Sequence, residues 1–458
     1  MAEYTTTREL MERYSVRSLV LRLGVPAMVG QAFNLLYSIV DRIFVGRIPQ
    51  GGEQALAAIG ICAPALTAIT AFAYMVGIGG ASLMGISLGQ KNQRRAEQAL
   101  GNAFWLVVGI AVAVTAVLLP LRRPLLYLLG CSDALYPYAS AYFTIYILGT
   151  LASLLGVGMN QFLLAQGFAR KGMIAVIIGA LTNVILDPLL IFGLGLGVRG
   201  AAIATVIAQC LMAVYVLFQL CRPEMPVRLR LHRLQGKICR RIIATGSMSF
   251  LITLLDNMII ILLNIVLRRY GGEQGDAWIT CATVVQSFLT IVFCPSQGIT
   301  TGCGTLFSYN YGAGNVRKAR QSFLWVFVLC GAYIGFLEVA VQLAPGWFAG
   351  LFLQDAALLE MASLCLRRYT LALIGVAVQY ALVDGLTAMG KVRYAFPISI
   401  FRKLVYAVCL LVLPHIGGVE SVFYAGSISD FVGAGFSLLM FFAVLWPRLR
   451  RELQQMRA

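Results

Sequence analysis

Asn183, Asp187 and Thr205 are polar side chains set in apolar surroundings, at a spacing that suits ion binding. They belong to the stretch LTNVILDPLLIFGLGLGVRGAAIATVIAQ (181–209), in which two apolar runs flank a glycine-rich turn, so it reads as a helical hairpin. Asn183 and Asp187 are four residues apart and share one helix face. Asp187 and Thr205 each lie about nine residues from the turn centre. At ~1.5 Å per residue that is ~13 Å, near the middle of a ~30 Å hydrocarbon core. Pro188 cannot donate to the helical ladder, which frees a carbonyl beside the acid. An amide, a carboxylate, a hydroxyl and a loosened backbone at one depth make an oxygen site for a small cation or a proton.

Carboxylates at membrane depth are costly, so each is a candidate for function. Asp41 falls in QAFNLLYSIVDRIFVGR (31–47), where Asn34, Tyr37 and Asp41 form one polar stripe on an apolar helix. Its bland alternative is a pair with Arg42, or a side chain that snorkels to the interface. In the functional reading Asp41 joins Asn183, Asp187 and Thr205. Two carboxylates brought together cannot both ionise comfortably, so one keeps a proton unless a cation such as Na+ replaces it. These four residues are therefore the expected coupling-ion site, for H+ or Na+. Asp256 and Asp384, in later apolar segments, are expected to form a second acidic cluster or countercharge for a cationic cargo. Polar contact between helices is their alternative. Asn34, Tyr37 and Asn160 complete the candidates for contacting cargo. Glu338 is expected to snorkel, and Asp430, in SISDF, to make a packing contact.

Other chemistries find little support. GIGG (77–80) and YGAGN (311–315) follow apolar segments rather than strands, so they suit close helix approach and turns, not phosphate binding. His232 and His415 sit in or near loops, and no HExxH, GxSxG or Cys–His nucleophile arrangement occurs, so an enzyme is not expected. The 11 cysteines show no CxxC or metal-ligand spacing and read as reduced thiols in core or lipid contact.

The elements that must position these residues are membrane helices, in an all-α membrane protein. The chain is 59% hydrophobic and 12% charged, against ~25% charged in a soluble domain. Twelve apolar runs of spanning length are expected, at 18–46, 54–82, 96–120, 135–158, 162–193, 198–220, 242–267, 279–305, 320–344, 358–386, 395–414 and 418–446. The first lacks the short apolar core and cleavage signals of a signal peptide and reads as retained. Ser87–Gln98 (SLGQKNQRRAEQ) aligns with Asn310–Gln321 (NYGAGNVRKARQ) at an offset of 223 residues, which also brings Asn34 onto Asn257 and Asp41 onto Asn264. A second echo, at a slightly shorter offset, pairs Gly167 and Gly172 with Gly385 and Gly390. Six spans per half give a parallel repeat about an axis along the membrane normal. The expected organisation is an N-terminal six-helix lobe (1–221), a basic cytoplasmic linker (222–241) with room for a helix along the headgroups, and a C-terminal six-helix lobe (242–458).

Net charge of +17 is topological on this reading. With the N-terminus inside, 27 of the 36 Lys and Arg fall on the inner side, the group from Lys391 to Lys403 among them. Both termini are expected in the cytoplasm, and nucleic acid is not an expected partner. No oligomerisation signal appears, so a monomer is expected.

Together these residues resemble the multidrug and toxic compound extrusion (MATE) transporters over nearly the whole chain. The pattern Q-x-x-N-x-x-Y-x-x-x-D (Gln31, Asn34, Tyr37, Asp41), N-x-x-x-D-P (Asn183 to Pro188) and the G-V-x-G-A-A-I-A-T run ending at Thr205 are similar to that family's. So are YNYGAGN (309–315) and the SISD of the last span. CGTLFSYNYG (303–312) departs from it, because relatives carry Gln-Pro ahead of the Tyr-Asn-Tyr-Gly. The resemblance implies a V-shaped bundle of two pseudo-symmetric six-helix lobes that alternates between inward- and outward-facing forms. It further implies export of amphipathic, often cationic drug-like compounds in exchange for Na+ or H+, with no other cofactor. Asp41 and Asp187, with Asn183 and Thr205, resemble the coupling site of the DNA-damage-inducible-F-like branch. A branch with second-lobe acids is matched only approximately, by Asp256 and Asp384. The expected protein is a cation-coupled multidrug antiporter, multi-pass in the plasma membrane of a bacterium. The alternative is a flippase or exporter of a lipid-linked or anionic metabolite. Basic residues lining the cavity would favour that alternative, and Asp256 and Asp384 lining it would favour cations.

Overall fold

The computed structural model describes residues 9, 11, 13–48, 51–129, 131–230, 233–353 and 355–457, which are helical with no strand among them. His232 lies outside the described residues. The first half holds α1 (Val16–Gly46), α2 (Gly52–Gly89), α3 (Gln93–Leu128), α4 (Tyr136–Leu148), α5 (Thr150–Ala165), α6 (Ala169–Pro188) and α7 (Val198–Cys221). The second holds α8 (Gly236–Tyr270), α9 (Gly275–Gly302), α10 (Gly304–Gly312), α11 (Val316–Leu343), α12 (Pro345–Ala349) and α13 (Ala356–Tyr369). It continues with α14 (Gly375–Ala388), α15 (Val392–Gly417), α16 (Tyr424–Met440) and α17 (Trp446–Arg457).

Among the described residues 10 helices are long and apolar enough to cross a membrane, or 11 if the bent pair α4–α5 is one span. That pair turns by 55° at Gly149, so the span expected to end at 158 runs on to Ala165, and the next begins at Ala169 instead of 162. The span expected at 358–386 is two helices, α13 and α14, interrupted by a turn at 370–374. Glu338 answers that break: its Oε2 accepts the Ile374 N–H at 2.8 Å, in place of the expected snorkelling.

The repeat is visible in backbone conformation. Asn92 and Asn315 occupy equivalent N-caps, accepting the Arg95 N–H at 3.0 Å and the Lys318 N–H at 3.1 Å. Lys91, at φ +59°, stands where the second copy has Gly314, at φ +66°. Gly167 and Gly390, at φ +89° and +71°, end α5 and α14 with the same pair of backbone bonds, Gly167 to Leu164 and Phe168 to Leu163, Gly390 to Thr387 and Lys391 to Leu386. These two glycines are therefore equivalent at the offset of 223, which corrects the shorter offset expected for them. Matching glycines by identity misaligned the copies; the left-handed backbone positions align them.

Equivalent residues also meet across the middle of the molecule. A Cβ on Gly89 would lie 2.2 Å from the Tyr309 carbonyl, and one on Gly312 would lie 2.2 Å from the Ile86 carbonyl. Each of these contacts is the other shifted by 223 residues, as a two-fold axis between α2 and α10 requires. Away from that axis the halves interlock. Gly302 of α9 seats on the Leu23 backbone of α1, and Gly79 of α2 seats on the Ile242 backbone of α8. Small residues bring these backbones close, as is usual in membrane bundles.

The described residues of 222–241 contain no separate surface helix. Residues 222–230 and 233–235 are irregular, and Gly236 opens α8. The Val227 N–H is held by Gln166 Oε1 at 2.9 Å, so this connection is docked on the first half. Buried apolar side chains form two clusters, one from residues 45–242 and one drawn mainly from 248–449. The N-terminal part of α1, from Val16 to Ala27, joins the second cluster.

Gly312→Ala is expected to destabilise the protein by about 1–3 kcal/mol, as overpacking does. Gly60→Ala, where an added Cβ meets nothing within 4 Å, is expected to leave stability unchanged or slightly raised. Thermal melts of the detergent-solubilised variants check this, and equal melts would contradict the close crossing.

Candidate functional site

α6 presents one face inward and one outward: Asp187 is 0% exposed, whereas Ile185 is 65% exposed. Asn183 Nδ2 donates to Asp187 Oδ1 at 3.2 Å and to Thr205 Oγ1 at 3.4 Å, and the Thr205 hydroxyl donates to the Ala201 carbonyl at 3.0 Å. Asp41 of α1 completes the group, its carboxyl within hydrogen-bonding reach of Asp187.

The local fold follows from Pro188 and the glycines. Beyond Pro188 the helix widens into a π turn (Leu189–Gly193), in which the Leu194 N–H bonds the Leu189 carbonyl at 2.9 Å. Gly195 and Gly197, at φ +64° and +54°, then reverse the chain. α7 returns alongside α6 and sets Thr205 opposite Asn183.

Asp41 Oδ1, Asn183 Oδ1 and Asp187 Oδ2 are buried and accept no hydrogen bond. Buried acceptors left unpaired are costly. A proton shared by the carboxyls satisfies Asp41 and Asp187, and one monovalent cation among the oxygens satisfies all three. The donor set is all oxygen, which suits Na+, and the paired acids equally suit H+.

A polar stripe leads away from this group along α1. Tyr37 lies within electrostatic reach of both Asp41 and Asp187. One turn further, Asn34 Nδ2 donates to Gln31 Oε1 at 3.5 Å, and Gln31 pairs with Tyr74. Tyr74 lines a cavity of about 690 Å³, which is drug-sized. The cavity lies mostly in the second half. Tyr380 and Asp384 of α14 form one wall, and Arg402, Lys403 and Tyr406 of α15 form the next. Asp384 Oδ2 accepts the Thr300 hydroxyl. Lys403 Nζ is bonded to Asp256 Oδ1, with the Ile252 carbonyl 3.5 Å away. Arg402 pairs with Asp430 Oδ1 at 2.9 Å.

Asp41, Asn183, Asp187 and Thr205 are thus brought together, and Asp256 and Asp384 line the cavity. Asn34, Tyr37 and Asn160 are not among its lining residues; Asn160 Nδ2 donates to the Gly172 carbonyl at 3.4 Å. Asp430, expected in a packing contact, is buried in an ion pair. Sequence reasoning missed Arg402 and Lys403 by counting them with the inner-side charges. Without them the asymmetry is still 25 to 9. The signal was there: both sit between FPISIF and LVYAVCLLVL, well inside an expected span, where a cation needs a buried acid.

Comparison with known proteins matches both halves to one family model. The MatE model fits residues 26–189 and again 249–412, copies displaced by the same 223 residues. The chain is 23% identical over 421 residues to multidrug export protein MepA of Staphylococcus aureus (strain MRSA252), covering 92% of each chain. It is 24% identical over 437 residues to MepA of Staphylococcus haemolyticus (strain JCSC1435), covering 94% of this chain and 95% of that one. Its fold matches an outward-facing multidrug resistance MATE family transporter of the MOP superfamily, with TM-score 0.88, 22% identity and 98% of each chain covered. It also matches a MOP superfamily transporter from Pyrococcus furiosus Vc1 described as having a binding pocket of reverse polarity, with TM-score 0.89, 22% identity and 100% of each chain covered.

Arg402→Met is expected to cost about 3–5 kcal/mol, because it strands the buried Asp430. The double variant Arg402→Met/Asp430→Leu is expected to recover most of that loss. Unfolding of the three proteins in detergent checks the comparison.

Proposed function

The chain belongs to the MatE family, and on that premise we propose that it is a cation-coupled antiporter that exports amphipathic, positively charged organic compounds. It is a multi-pass membrane transporter rather than an enzyme. The observation that carries the coupling is the set of unpaired buried oxygens on Asp41, Asn183 and Asp187. One H+ pairs the two carboxyls and one Na+ meets all three oxygens; the departure of either leaves two carboxylates in contact, which is unfavourable in a buried setting. The stripe from Asp41 through Tyr37 and Asn34 to Gln31 supports a route by which that change reaches Tyr74 at the cavity. Loss of the ion shifts the packing of α1, and α1 touches both halves, lying against α6 and against α9.

Asp384 supports a cationic cargo: it lines the cavity and accepts a hydrogen bond from a neutral hydroxyl, that of Thr300. An anionic cargo draws support from Arg402 and Lys403, but each already holds an acid. The multidrug export named for the staphylococcal relatives supports a drug-like cargo.

The two halves act as lobes, residues 1–221 and 242–458 joined by 222–241, with the basic loops and both termini in the cytoplasm of a bacterium. The α2–α10 crossing adjoins those loops, and Ser308 of α10 lines the cavity, which supports an outward-facing form. The coupling cluster and the cavity are complete within one chain, which supports a monomeric working unit.

Efflux of a fluorescent organic cation from proteoliposomes, with Na+ and H+ gradients imposed separately, tests the reading. Export is expected under one of the gradients, with Asp41→Asn and Asp187→Asn each slowing it by about tenfold or more. Wild-type rates in both variants would remove the coupling site from these residues.

A further inference from the structure

We infer that the cavity offers one uncompensated negative charge and therefore selects singly charged cations, with Lys403 as the residue that sets this limit. The inference rests on the cationic-cargo reading above and goes on to name the charge of the cargo. The ionisable carboxylates and bases lining the cavity are Asp256, Asp384, Arg402 and Lys403. Arg402 is matched by Asp430, which lies behind the wall, and Lys403 by Asp256. Asp384 remains, bonded to the Thr300 hydroxyl and close to Tyr380. One positive charge on the cargo brings the total to zero, and the low-dielectric walls of the cavity focus the attraction.

A second positive charge on the same molecule has only Asp256 to meet, and Lys403 is already there. The side chain of Asp256 is 51% exposed, so its carboxylate is open to the cavity, whereas that of Lys403 is 6% exposed. A dication that took Asp256 would leave a buried ammonium without its acid, which is costly. The ion pair is also particular to this half. The offset of 223 maps Arg402 and Lys403 onto Gly179 and Ala180, and Asp256 onto Phe33. α1 and α6 of the first half therefore meet through Asp41 and Asp187, while the equivalent α8 and α15 meet through a fixed salt bridge. The pair consequently does not follow from the repeated scaffold, and what it changes is the charge of the cavity.

The test is competition binding to the purified full-length protein with two probes on one aromatic scaffold, a mono-quaternary ammonium compound and its bis-quaternary homologue. Wild type is expected to bind the bis compound no more tightly than the mono compound. Lys403→Met frees Asp256 and is expected to raise the preference for the bis compound by about tenfold or more. Lys403→Arg keeps the ion pair and is expected to return the ratio toward the wild-type value. A tenfold preference for the bis compound in wild type would overturn the limit, and that measurement needs no variant to fold. An unchanged ratio in Lys403→Met would also overturn it. If the mono compound is exported while the ratio does not move, only the charge limit falls. If neither probe binds nor is exported, the cationic-cargo reading falls with it.

Discussion

A carboxylate taken out of water has to meet a proton, a cation or a base, and the buried acids of this chain are arranged around that requirement. The first half answers with an acid facing an acid. Asp41 and Asp187 lie in contact with unpaired oxygens, and Asn183 and Thr205 supply further polar atoms at the same place. Such a group suits a proton or a small cation. In the second half two acids meet bases, Asp256 at Lys403 and Asp430 at Arg402, while Asp384 meets only the Thr300 hydroxyl. The two halves therefore compensate their acids differently, and the proposed division into an ion-handling half and a cargo-handling half rests on that difference.

The scaffold beneath this division is nearly symmetric. The caps at Asn92 and Asn315, the helix ends at Gly167 and Gly390, and the self-facing glycines Gly89 and Gly312 repeat across one axis. Two-fold packing makes α1 and α8 each cross into the opposite half, so a change in the packing of one helix is felt by both. Function departs from symmetry only in side chains. Asp41 faces Asn264 in the alignment, and Lys403 faces Ala180. Duplicated architecture supplies the shared scaffold, and unequal substitution gives its halves different chemistry.

Much of this was legible in the sequence because membrane burial leaves strong marks. Polar residues within apolar runs are rare, so Asp41, Asn183, Asp187 and Thr205 stood out, and they lie together in the structure. Charge asymmetry and the 223-residue offset were equally readable. Broken helices were not. The bend at Gly149 and the turn at 370–374 lie in stretches whose apolar character continues across the break, so hydropathy alone merges or misplaces the segments. The ion pairs of Arg402 and Lys403 were missed for a different reason. A basic pair inside a span was counted with the loop charges before it, and only the positions of α8 and α16 identify the acids that permit its burial. The same limit applied to Asp430, whose partner lies 28 residues away on another helix.

The central claim is that ion and cargo compete through the oxygen cluster at Asp41 and Asp187. Calorimetry of cargo binding to the purified protein, in buffers of different ionisation enthalpy and at high and low Na+, measures that competition directly. Release of about one H+ or Na+ per cargo bound is expected in wild type, and none in Asp41→Asn. Binding that releases no ion in wild type under any of these conditions, with cargo affinity independent of pH and Na+, would contradict the claim.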